Sequence, residues 1–206
     1  MTPRGQRGFT LLEVVIALAI VGALLVIAFG GMRIALAAWQ KGEDRAEVHQ
    51  HARSIALVLA RAVSATYPYR APRGESPVPT LLFGGTSNRI ELVTLAPPFP
   101  LAQPVAFTAV VLAQEAGDTP GLVVRQRALP NRNPFDDVAP VFRDPAVSAL
   151  EVAYLDEAGA WKDTWDAEVE RTLPRAVRLT VSTTLNGRPE KFPPLTVAIP
   201  AAPPKQ

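Results

Sequence analysis

Glu13 is the residue whose position most demands a chemical reason. It stands inside the run Phe9–Met32, which holds no other ionisable side chain and no proline. An acid at the centre of a membrane-spanning helix costs ~2.5–3.5 kcal/mol on insertion scales, so a carboxylate kept there implies a partner. In a low dielectric an unpaired charge is expensive, which makes the acid the first residue to account for.

The remaining candidates for chemistry are weaker. His49 and His51 are two apart, so on a helix they point about 200° apart and cannot share a metal as an i, i+4 pair could. The sequence reads them as solvated. "DEAGAWKDTWDAE" gathers Asp156, Glu157, Asp163, Asp166 and Glu168, a composition that invites calcium. It lacks the alternating ligands and closing glutamate of an EF-hand loop and reads as a polar turn, and Asp136-Asp137 is a weaker case still. "GGTSNR" from Gly84 lacks the Gly-Lys-Ser/Thr of a phosphate loop and is expected to be a turn. Trp161 and Trp165 are candidate partner contacts, since tryptophan is enriched at interface hot spots, with packing over a sheet edge as the alternative. No nucleophile stands with a base, so no catalytic, metal or cofactor residue is assigned.

What positions Glu13 is the apolar run itself. As a helix it would extend ~36 Å at ~1.5 Å per residue, enough for a bilayer core of ~30 Å. It is too long for the core of a secretory signal, and no small-residue cleavage site follows it. A plain signal anchor fits the length but has no use for Glu13. The chain has 206 residues, 48% of them hydrophobic, enough for one medium domain beyond the helix. It has no cysteine, which excludes disulfides and Cys-based zinc sites. The 21 Lys and Arg outnumber the 19 Asp and Glu only through Arg4 and Arg7 near the start, and with no basic stripe a nucleic-acid partner is not expected. None of the 21 prolines lies between Phe9 and Tyr67, whereas they are dense from Pro68 onward. Proline breaks helix interiors, so a helical first third precedes a loop- and strand-rich remainder.

"RGFTLLE", Arg7–Glu13, resembles the class III leader of type IV pilins and type II secretion pseudopilins. The resemblance implies that a prepilin peptidase cuts between Gly8 and Phe9 and N-methylates Phe9 as the new terminus. It also implies that Glu13 is the acid used in assembly. The amine freed at Phe9 has a pKa near ~8 and is largely cationic at neutral pH. A carboxylate four residues on lies one turn away, or meets the amine of a neighbouring subunit in a fibre.

Beyond Arg33 the pattern turns amphipathic. Val48, Ala52, Ile55, Leu59 and Ala62 form one apolar stripe, which predicts a helix to about Thr66, ended by the Tyr67-Pro68 step. Gly30, Gly31 and Gly42 are places where it could bend. Strands are expected in "RIELVTL", "VAFTAVVLAQ", "LVVRQRA", "VSALEVAYLD", "RAVRLTVSTTL" and "LTVAIP", with Asn186-Gly187 as a hairpin turn. The chain thus divides into a leader at 1–8, a transmembrane half-helix at 9–32 and an amphipathic half-helix at 33–67. A β-rich domain at 68–200 and a tail at 201–206 follow. With the resemblance, the expected fold class is α+β and pilin-like: a long N-terminal helix packed on antiparallel sheet.

The region 147–185 adds a narrower resemblance, to the C-terminal block of J-type minor pseudopilins. Tyr154, Asp156, Trp161, Trp165 and Leu173-Pro174-Arg175-Ala176-Val177 carry it. It implies a structural, non-enzymatic subunit without cofactors, seated in the inner membrane with its globular part in the periplasm. Its partners would be the prepilin peptidase, the I-, K- and H-like minor pseudopilins and the major pseudopilin, in a tip complex that starts the pseudopilus. A minor pilin of a type IV pilus or DNA-uptake machine, and a signal-anchored periplasmic binding module or enzyme, are the alternatives.

Overall fold

A computed structural model describes residues 9–185 and 188–200, with side chains outside 41–48, 185 and 188. The leader with Gly8, the Asn186-Gly187 turn and the 201–206 tail lie outside the described residues. The chain divides into two compact units, Met1–Glu47 and Val48–Gln206. The long helix α1 spans Leu11–Ser64, so the boundary between the units falls within it rather than at its end.

In the first unit α1 runs from Leu11 to the unit's end at Glu47. Leu11–Gln40 is long and apolar enough to cross a membrane, and none of it is buried. Phe9, Leu18, Val26, Ile27, Ile34 and Trp39 are all exposed, a surface that water would not tolerate on a free monomer. Gly30 and Gly31, where a bend was expected, sit within the helix.

Among its described residues the second unit carries the end of α1, thirteen strands and a short helix. The strands are β1 (Arg70–Pro72), β2 (Pro79–Leu81), β3 (Gly84–Thr86), β4 (Arg89–Thr94), β5 (Thr108–Glu115), β6 (Gly121–Ala128) and β7 (Pro140–Asp144). After them come β8 (Val147–Leu155), β9 (Trp161–Lys162), β10 (Trp165–Asp166), α2 (Ala167–Glu170), β11 (Ala176–Leu185), β12 (Arg188–Lys191) and β13 (Leu195–Ala198). A six-stranded antiparallel sheet has the order β10-β3-β4-β5-β6-β7. A five-stranded sheet has the order β12-β11-β8-β9 with β13 also on β11, and β1-β2 form a separate ribbon.

Alternation explains the core. Ile90 and Leu92 of β4, Val110 and Leu112 of β5, and Leu122 and Val124 of β6 point to one face. They meet Val152 and Tyr154 of β8, Val177 and Leu179 of β11, and Ile55, Leu59 and Val63 of α1 in one apolar cluster. The residues between them, Val93, Ala109, Val111 and Ala113, face the other way into a second cluster capped by Leu129 and Phe135. Both faces of β4 and β5 are therefore buried. The proline-rich loops, which the sequence left without a role, supply part of this cover. Phe135 comes from "PNRNPFDD", while Phe99 of "APPFPLAQP" is gripped by Gln126, whose Nε2 donates to its carbonyl at 2.8 Å. Leu59 is 1% exposed at the centre of the helix stripe. Leu59→Ala should destabilise this unit by about 2–5 kcal/mol, measured as the shift in unfolding midpoint.

Two expectations need correction. "GGTSNR" is not all turn: Gly84–Thr86 is β3, and only Ser87-Asn88 turns before β4. The returning C-terminal strand is divided. β12 pairs with Ser182–Leu185, and β13 pairs with Ala176–Leu179 on the same side of β11. Pro193-Pro194 stands between them and lacks the N–H groups that would continue the ladder.

At one end of β5, β6 and β7 a carboxylate clasps two arginines. Glu115 accepts from Arg125, and from Arg143 Nη2 at 3.0 Å. The Arg125 hydrogen bond is the largest cause that lowers the Glu115 carboxyl below its ordinary value, with Arg143 adding to it. A depressed carboxyl stabilises the fold fully above its unfolded pKa, about 4.3, and that stabilisation is lost as pH falls through the folded value. Glu115→Gln should therefore lower the midpoint at pH 7 and leave it nearly unchanged below the folded pKa, as thermal melts across that range would show.

Candidate functional site

Glu13 occupies the third residue of α1, and Thr10 caps it. Thr10 N–H and Thr10 Oγ1 donate to Glu13 Oε2 at 2.9 and 3.0 Å, and Glu13 N–H donates to Thr10 Oγ1 at 3.3 Å. This is a reciprocal capping box, which satisfies donors that a helix start otherwise leaves open. Thr10 escaped the sequence reading although its signal was present: Thr-x-x-Glu ahead of an apolar run is the box's own pattern. Only Oε2 is engaged. Oε1 has no hydrogen-bond partner among the described residues, so the carboxylate can cap its own helix and still accept an amine. Phe9, one residue before the cap, is 87% exposed.

The two tryptophans part company. Trp165 is 3% exposed, its Nε1 donates to Thr172 O at 3.0 Å, and its ring packs beside Tyr154. It lies in the core, packed as a structural side chain. Trp161, half-buried, stands on β9 of the five-stranded sheet, whereas Trp165 is on β10 of the six-stranded sheet. The Arg178 guanidinium lies over the Trp161 ring at 3.8 Å. The segment between the sheets is tied by its own acids. Asp156 Oδ1 accepts from Ala160 N–H, Lys162 bridges Asp156 and Glu170, and Asp166 caps α2 through Glu168 N–H. Among the described residues no group of His, Asp and Glu is placed to hold a metal.

The histidines are engaged rather than simply solvated. His51 Nε2 meets Asp144 Oδ2 at 2.7 Å and His49 Nε2 meets Glu190 Oε1 at 3.4 Å. Their opposed directions, which forbid a shared metal, let one helix reach β7 of the six-stranded sheet and β12 of the five-stranded sheet. The sheets themselves are joined at Tyr154. Its hydroxyl reaches Thr86 O at 3.1 Å and Arg89 O at 3.0 Å, and Val152 N–H donates to Ser87 O at 2.7 Å. Burial is the main reason its phenol is pushed well above the ordinary value, with the Glu91 charge adding to the rise. A cleft of about 350 Å³ beside this joint is lined by Arg73, Phe83, Glu91, Trp165, Asp166 and Glu168. Its Glu91 is paired with Arg89 at 2.7 Å.

A capped acid at the head of an exposed apolar helix, followed by antiparallel sheets, defines a pilin-like fold. Residues 3–29 match the prokaryotic N-terminal methylation motif. Residues 30–192 match type II secretion system (T2SS) protein J, and the chain belongs to that family. It is 27% identical over 219 residues to the type II secretion system protein J of Xanthomonas campestris pv. campestris, an alignment covering 97% of this chain and 95% of that one. The family is a structural one, and the role it carries is that of a minor pseudopilin.

Proposed function

We propose that a prepilin peptidase cuts this chain between Gly8 and Phe9 and N-methylates Phe9. The resulting subunit waits in the inner membrane on the apolar half of α1, with its β unit in the periplasm. It then enters the pseudopilus through the pairing of Glu13 with an N-terminal amine. Its partners are the I-, K- and H-like minor pseudopilins of a tip complex and the major pseudopilin, and it catalyses nothing itself. The observation that carries the reading is the half-used Glu13 carboxylate. One oxygen closes the helix start, and the other is free to take a cation where an unpaired charge is costly.

Mass spectrometry of the N-terminus in the membrane fraction tests the first step. The expected mature chain begins at N-methylated Phe9. A chain that still begins at Met1, or one cut near Gly30, would sink the proposal.

A further inference from the structure

We infer that the Trp161–Arg178 stack, on the outer face of the five-stranded sheet, docks a carboxylate carried by another subunit of the pseudopilus; this rests on the assembly role proposed above. Trp161 is on β9 and Arg178 on β11, with β8 between them. In that strand Ala153 is the register partner of Arg178, and Leu155 that of Trp161. A methyl group at 153 leaves room for the arginine to lie across β8, which brings its Cζ to 3.8 Å from the indole centroid.

That contact fixes the guanidinium by its face and leaves its N–H edges uncommitted. Arg89, Arg125 and Arg143 each reach a carboxylate, whereas the Arg178 guanidinium makes no ion pair or hydrogen bond among the described residues. A pre-oriented guanidinium with open edges selects a planar, two-oxygen acceptor. The surrounding face is short-chained, with Ala149, Ala153, Ser182, Thr196 and Ala198, so a partner's backbone can come close. Tryptophan and arginine are also the residue types that concentrate binding energy at interfaces. A lipid phosphate could satisfy one arginine, but membrane recognition uses clustered cations. Here the other cation of this face, Lys191, is already held by Glu151 at 2.8 Å.

The test uses the full chain in membranes with the I- and K-like subunits, and a photo-crosslinking residue at Thr196, the other register partner of Arg178. The wild-type chain should crosslink to an Asp- or Glu-bearing peptide of a partner subunit, identified by mass spectrometry. R178E should lower the yield about tenfold or more, and R178K should fall between, because lysine keeps the charge but loses the planar fork. Reversing the crosslinked acid to arginine should restore yield with R178E. An unchanged melting midpoint for R178E separates this loss from misfolding. Equal yields for wild type and R178E overturn the inference, as do crosslinks confined to lipid. A second probe at Leu24 separates the two readings. If it captures partner subunits while the Thr196 signal ignores R178E, only the docking point fails. If neither position captures them, the assembly role fails with it.

Discussion

Glu13→Gln should remove most incorporation into the pseudopilus while leaving abundance, leader cleavage and the folded β unit intact. The capping box makes this substitution unusually clean. Gln can still accept from Thr10 and close the helix start, so only the charge is lost. It also removes a charge from the bilayer, so insertion is not harmed. Breaking a poorly solvated ion pair costs ~3–5 kcal/mol, so crosslinking to partner subunits in membranes should fall by at least about tenfold, and secretion with it. Glu13→Asp should be intermediate, because it keeps the charge but withdraws it by one methylene, ~1.5 Å. Thr10→Val makes the complementary change, losing the cap's hydroxyl and keeping the charge, and should cost less than Glu13→Gln. Equal crosslinking and secretion for wild type and Glu13→Gln would refute the role. A partial loss supports it only if Asp falls between the two.

Gly85→Ala should strongly destabilise the β unit. A Cβ there would land on the Tyr154 hydroxyl and crowd its ring at 2.9 Å. The hydroxyl cannot retreat without leaving Thr86 O and Arg89 O, the acceptors that tie the two sheets. Overpacking and a broken buried hydrogen bond together predict a loss of about 3 kcal/mol. For a unit of this size that corresponds to about 6–12 °C in melting midpoint. Gly84→Ala is the control, since its Cβ would meet only Trp165 O at 3.4 Å, an ordinary contact. Thermal melts of the two variants decide the point, and similar midpoints would show that the joint yields easily.

What the sequence disclosed and what it hid follow from the range of the interactions. The helix and the long strands β4, β5, β6, β8 and β11 were legible because their periodicity is local, and Leu150, Val152 and Tyr154 turn inward as their alternation requires. Glu13 was legible because a charge in an apolar run is conspicuous. Thr10 was overlooked because its hydroxyl works for the helix, while attention to charge looks past it. The function of Gly85 depends on a tyrosine almost seventy residues away, and the covering of β5 by Phe135 depends on a loop with no periodicity. The pairs of His49 and His51 with Glu190 and Asp144 are likewise set by tertiary placement, so spacing could exclude a metal but could not name the partners.

The way Val48–Ser64 is built into the second unit has a mechanical consequence. A pull on this segment along its own axis cannot be absorbed by sliding. Ile55, Leu59 and Val63 would have to plough through side chains from both sheets. The His49 and His51 pairs would have to part at the same time, one on each sheet. Tension is therefore divided between the two sheets and resisted in shear, with many contacts strained together rather than peeled one after another. A thrust delivered to Val48–Ser64 is therefore passed to both sheets at once through their shared core.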